Sequence, residues 1–81
     1  MQIIDAVPST FLHKLLLVED KGRFSIVEQA NLRSPPADAP KLSWGEALQA
    51  WRPKVYQAFM GVTHNERDSR LLTERRLNRI Q

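Results

Sequence analysis

The chain has 81 residues and a net charge of +3, with 42% hydrophobic residues, 7% aromatic residues and no cysteine. That length fits one domain with a thin core, the apolar share is too high for a disordered tail, and the lack of cysteine excludes disulfides, thiolate metal sites and thiol redox chemistry. No run of about 18 apolar residues is present to span a membrane, and no basic segment followed by a long apolar run marks a signal peptide, so a cytoplasmic location is expected.

Residues 2–7, QIIDAV, are β-branched, stop at Pro8 and read as a first strand or extended arm. Residues 11–29 hold two apolar runs on either side of Asp20-Lys21-Gly22. A three-residue loop ending in glycine closes hairpins, because glycine accepts the left-handed conformation required there. In the second strand Phe24 and Ile26 alternate with Ser25 and Val27, which points Phe24 and Ile26 at the core. A rival places Ser9 at the N-cap of a helix over residues 10–20, with Gly22 just past its end. The hairpin is the favoured reading. Residues 33–41, RSPPADAPK, are a proline-rich connector from sheet to helices.

The strongest pattern lies over residues 43–62. Trp44, Ala47, Leu48, Trp51, Val55, Ala58, Phe59 and Val62 recur at helical spacing. At about 100° per residue they occupy a sector roughly 120° wide. Ser43 with Glu46 has the spacing of a capping box. Pro53 interrupts the stretch but sits opposite the apolar stripe, so the spacing predicts one helix over residues 43–60, kinked at Pro53, over two short helices. Thr63 with Glu66 repeats the capping spacing, which predicts a second helix over residues 64–79 after a tight Gly61-Val62-Thr63 turn. Its apolar stripe is weak. Leu72, Leu77 and Ile80 share a face with Thr73, and Leu71 points elsewhere. The expected fold class is therefore α+β: a small antiparallel sheet, made of the hairpin with the N-terminal strand, covered by the kinked amphipathic helix and an arginine-rich C-terminal helix. The chain divides into a β-rich part (1–29), the connector (33–41) and a helical part (43–80).

Candidates for chemistry are sparse. Ser9, His13 and Asp5 supply the residue types of a nucleophilic triad, but their spacing demands nothing. His64, Glu66 and Asp68 cluster in sequence without sharing a helical face, so no metal site is expected. Gly22, Gly45 and Gly61 are isolated and make no phosphate loop. No catalytic residue and no cofactor is expected, and no motif anchors a family assignment.

The C-terminal helix is the most suggestive feature. Arg67, Arg70, Arg75, Arg76 and Arg79 supply flat donor forks suited to carboxylates and phosphates. Glu66, Asp68 and Glu74 interleave with them, so a solvated, internally paired face is the plain alternative. Tyr56 and Met60 lie off the apolar stripe beside Arg52 and suit a contact surface. Trp44 and Trp51 read as core before hot spot. The function expected is a small non-catalytic protein-binding module of regulator or inhibitor type, a profile that viral and mobile-element accessory proteins also fit, acting on a protein partner with an acidic surface. Homodimerisation through the C-terminal helix is a natural extension. The alternative is nucleic-acid binding by the arginine-rich helix as the second helix of a helix-turn-helix outline, which a pI near 9.8 would assist.

Overall fold

A computed structural model describes residues 2–9, 13–28 and 40–80. Three strands, β1 (Gln2–Pro8), β2 (Lys14–Asp20) and β3 (Arg23–Glu28), form an antiparallel sheet in the order β1-β2-β3. Two helices follow, α1 (Trp44–Thr63) and α2 (Glu66–Ile80). This is the expected α+β class. Phe11, Leu12 and most of the proline-rich connector lie outside the described residues.

Lys14–Asp20 is a strand, so the alternative helix over residues 10–20 is excluded over that span. The hairpin turn is shorter than expected. Asp20 pairs with Arg23, which leaves two turn residues, Lys21 and Gly22. Both have positive φ, 54° and 82°, the backbone of the two-residue turn whose twist matches that of its strands.

The run Leu15–Val18 does not alternate with polar residues because β2 is the central strand and both its faces are covered. Leu15 and Leu17 face the helices, with Val7, Trp51, Val55, Ala47 and Leu77 forming the main core beside Phe24 and Ile26. Leu16, Val18 and Val27 are buried on the opposite face with Ala6 packed against them. Ser25 is buried there too, and its hydroxyl donates to the Pro40 carbonyl at 3.1 Å. The chain then runs along β3, where Phe24 and Leu42 exchange both backbone hydrogen bonds.

Helix α1 begins at the expected capping box. Ser43 Oγ accepts the Glu46 N–H and the Glu46 carboxylate accepts the Ser43 N–H, and those hydrogen bonds hold the exposed Glu46 carboxyl below its usual range. The helix is continuous through Pro53 and ends at Thr63, not at Met60. Gly61, Val62 and Thr63 are therefore its last turn and not the connection. Val62 keeps the phase of the stripe but is 76% exposed, at the edge of a depression that it lines with Pro8 and Leu15. The connection is His64-Asn65. His64 adopts the left-handed conformation that closes α1, and its N–H donates to the Met60 carbonyl. Asn65, and not Thr63, caps α2: its side chain accepts the Asp68 N–H at 3.0 Å.

The buried face of α2 is Ser69, Thr73 and Leu77, a narrower and more polar stripe than Leu72, Leu77 and Ile80. Ser69 and Thr73 stay buried because each hydroxyl is satisfied. Thr63 and Ser69 share a hydrogen bond of 2.7 Å, and Thr73 donates to the Ser69 carbonyl at 2.6 Å. Such small side chains allow α1 and α2 to approach closely.

One polar cluster joins the layers. The β1–β2 register shifts between Ile3 and Asp5, so one extra residue is inserted at Ile4. In regular alternation Asp5 would oppose Leu16, on the sheet face away from the helices. The bulge makes it oppose Leu17 and turns its carboxylate toward them. There Asp5 accepts the Trp51 indole N–H at 2.9 Å, and Arg76 at 2.9 Å from Nε and 2.6 Å from Nη2. The Asp5 side chain is 8% exposed and that of Arg76 is 35%. Burial would push the Asp5 carboxyl up, but the hydrogen bonds from Arg76, Trp51 and the Ala6 amide, with the Arg76 charge, outweigh it and hold the group below its usual range. The same bonds raise the Arg76 guanidinium.

A group whose folded pKa is depressed stabilises the fold fully above its unfolded value, about 3.9 for aspartate, and loses that contribution as pH falls through the folded value. Urea unfolding of the wild type should therefore lose stability on the acid side of about pH 4. The Asp5→Asn variant should be less stable at neutral pH and show a shallower acid limb. Parallel pH profiles for the two proteins would contradict this role for Asp5.

Candidate functional site

The residues singled out on chemical grounds come from both helices: Arg52, Tyr56 and Met60 from α1, and Arg67, Arg70, Arg75, Arg76 and Arg79 from α2. The helical hairpin brings some of them together. Arg52, Pro53 and Tyr56 form one wall of a groove, and Arg70, Thr73 and Glu74 form the other, enclosing about 350 Å³. A second depression of about 380 Å³ adjoins it, lined by Arg67, Arg70, Leu71 and Glu74. The two share Arg70 and Glu74, one helical turn apart, so these residues form a ridge with a hollow on either side.

The spacing in each helix explains the arrangement. Positions 52 and 56 lie about 100–140° from Trp51, the buried centre of α1. Positions 70, 74 and 67 lie about 60–120° from Thr73, the buried centre of α2. Each set is the flank of its helix that looks toward the other helix across the outer seam. Arg52 and Glu74 form an ion pair across that seam, with both side chains half exposed. Tyr56 is half-buried in the wall. Leu71 is 56% exposed, a large apolar side chain standing beside the arginines.

The other candidates are placed elsewhere. Arg75 and Arg79 are exposed on α2 and line neither hollow. Met60 is half-buried and also lines neither. Arg76 turns the opposite way, to β1, where it binds Asp5 and donates to the Ala6 carbonyl at 2.9 Å. Its guanidinium is a structural group of the fold. A further depression of about 430 Å³, between Pro8, Leu15 and the Lys54–Val62 flank of α1, holds none of the arginines.

Asp5, Ser9 and His13 do not assemble. Both Asp5 oxygens are engaged by Arg76 and Trp51, while Ser9 meets His13 through backbone atoms, N–H to carbonyl at 3.1 Å. Among the described residues, no three His, Asp or Glu side chains converge where they could hold a metal ion, and no helix is long and apolar enough to cross a membrane. Pro53, Thr73, Glu74 and Leu71 belong to the site without having been singled out for it. Pro53 carried a signal, its position opposite the apolar stripe. The pairing of Glu74 with Arg52 carried none, because it depends on how the helices are set against each other. Comparison with family models, with curated proteins and with solved structures finds no match to this chain.

The arginines should separate in a stability measurement. Arg76→Ala leaves the buried Asp5 carboxylate without its main partner and should cost about 2 kcal/mol, allowing for the partial exposure of Arg76. Arg75→Ala and Arg79→Ala should each stay within about 0.5 kcal/mol of wild type. Equal losses for all three in denaturant titration would contradict the assignment of Arg76 to the fold.

Proposed function

We propose that this protein is a small non-catalytic binding module, of regulator or inhibitor type, that occupies a surface on a protein partner with the outer face of the α1–α2 hairpin. The observation that carries the reading is the pair of adjoining hollows that share Arg70 and Glu74. One hollow holds Arg52, Tyr56 and Arg70, and the adjoining one holds Arg67, Arg70 and the exposed Leu71. Arginine and tyrosine are the side chains that anchor protein interfaces, because each couples a large apolar area to directional donors. The face is built on two helices that pack against each other and are fixed to the sheet by the core. Little ordering is therefore needed on binding.

Tagged protein bound to cell lysate, with nuclease added, tests this. A discrete protein should be retained at moderate salt by the wild type and by Lys14→Glu, a charge reversal remote from the face, and lost with Arg70→Glu and with Tyr56→Ala. Retention that disappears with nuclease and falls steeply with salt would transfer the arginines to nucleic-acid contact. Retention that survives both face variants would place the interface elsewhere.

A further inference from the structure

Resting on the binding reading above, we infer that the α1–α2 groove takes a carboxylate-bearing apolar segment of its partner, and that Glu74 is an internal competitor holding the carboxylate position until the partner displaces it. The contact is already present in the molecule: Arg52 reaches across the seam and pairs with the Glu74 carboxylate at the edge of the groove. That pair is half exposed on both sides. Such solvent-screened pairs contribute little, so displacement costs the partner little. Arg70 lines the same groove with no acidic partner within the lining other than Glu74, and Arg67 stands at the adjoining hollow. Across both hollows the charged lining is Arg52, Arg67 and Arg70 against Glu74, a net of +2 from three cations and one anion.

The lining also chooses among classes of occupant. A second copy of this chain, set on the same face by a two-fold axis, would bring this positive face against itself, which like-charge repulsion opposes. A nucleic-acid backbone would have to run its phosphates past Glu74 on the ridge, with Glu66 and Asp68 exposed in the first turn of α2. An acidic segment meets the same carboxylates, but it carries fewer charges than a phosphate backbone, and its apolar side chains can be the ones set beside Glu74. Its carboxylates find Arg70 and Arg52 as planar donor forks. Its apolar side chains find Pro53 and Tyr56 in one hollow and Leu71 in the other.

The probe is a short fluorescein-labelled peptide of alternating glutamate and leucine, compared with its glutamine–leucine counterpart and with a labelled single-stranded oligothymidine. Binding is read by anisotropy at fixed salt, and its position by the Tyr56 ring and Leu71 amide resonances. The acidic peptide should bind saturably and shift both resonances. Glu74→Gln should strengthen its binding by about two- to fivefold, and Arg70→Glu should abolish it. Both substitutions are at exposed or half-exposed positions, and unchanged thermal unfolding verifies that the fold is kept. Three results would overturn the inference: equal binding of the glutamine peptide, unchanged or weaker binding with Glu74→Gln, or tighter binding of the oligonucleotide at the same resonances. Equal binding of the glutamine peptide at Tyr56 and Leu71 removes the carboxylate specificity and leaves the docking face intact. A lysate partner insensitive to Arg70→Glu removes the docking face itself, whatever the peptides do.

Discussion

The hydrogen-bonded cluster of Asp5, Trp51 and Arg76 joins β1, α1 and α2 at one point, and the position of α2 depends on it. Helix α2 has little apolar surface with which to find its place. Its buried side chains are Ser69, Thr73 and Leu77, and two of these three are small and polar, so burial alone would let the helix slide or rotate at low cost. The Arg76 fork, aligned on both oxygens of a nearly buried carboxylate, tolerates little of either movement. A buried ion pair is often no more stabilising than well-packed apolar side chains of the same volume. Its effect here is positional: it defines which turn of α2 faces which residue of β1. The Trp51 indole N–H, fully buried with its ring, would be an unmet donor without the same carboxylate.

The cluster also closes an edge. β1 is an outer strand of the sheet, and the outer edge of such a strand offers free backbone groups to any passing chain. At Ala6, the N–H donates to the Asp5 carboxylate at 2.9 Å and the carbonyl accepts Arg76 at 2.9 Å. Both backbone groups at mid-strand are thus satisfied by side chains of the cluster. On the far side of the sheet, Leu42 performs the same service for Phe24. Arg76 is drawn inward to this work, and the cations that line the hollows are Arg52, Arg67 and Arg70.

Much of this architecture is legible in the sequence. The stripe of α1, its capping box and the Lys21-Gly22 hairpin are local patterns, and each forms close to where its spacing places it. What is not legible depends on contacts between distant residues. The bulge at Ile4 reverses the face on which Asp5 lies, and strand alternation read from sequence cannot include a residue whose insertion is decided by the partner strand. Val62 obeys the helical period yet lies exposed, because the period does not say whether the opposing surface fills the space beneath it, and here an open depression lies between Val62 and the Pro8 and Leu15 side of the sheet. The buried side of α2 is hidden from a search for leucines, since two of its three side chains are a serine and a threonine whose hydroxyls are satisfied by contacts that sequence does not show. Arg76 looks like its neighbours in a run of arginines and differs from them only through a carboxylate 71 positions away. In the candidate face, Arg52, Tyr56 and Arg70 could be named from residue type, whereas Glu74 entered only through the seam between the helices.

A double-mutant cycle on Asp5→Asn and Arg76→Gln, measured by urea unfolding at neutral pH, tests most directly whether the position of α2 rests on this pair. Residues in direct, buried contact should show a coupling free energy above about 1 kcal/mol, so the double variant should be distinctly more stable than the sum of the single losses implies. Losses that add to within about 0.5 kcal/mol would show that the two side chains act independently, and that something else fixes α2 against β1.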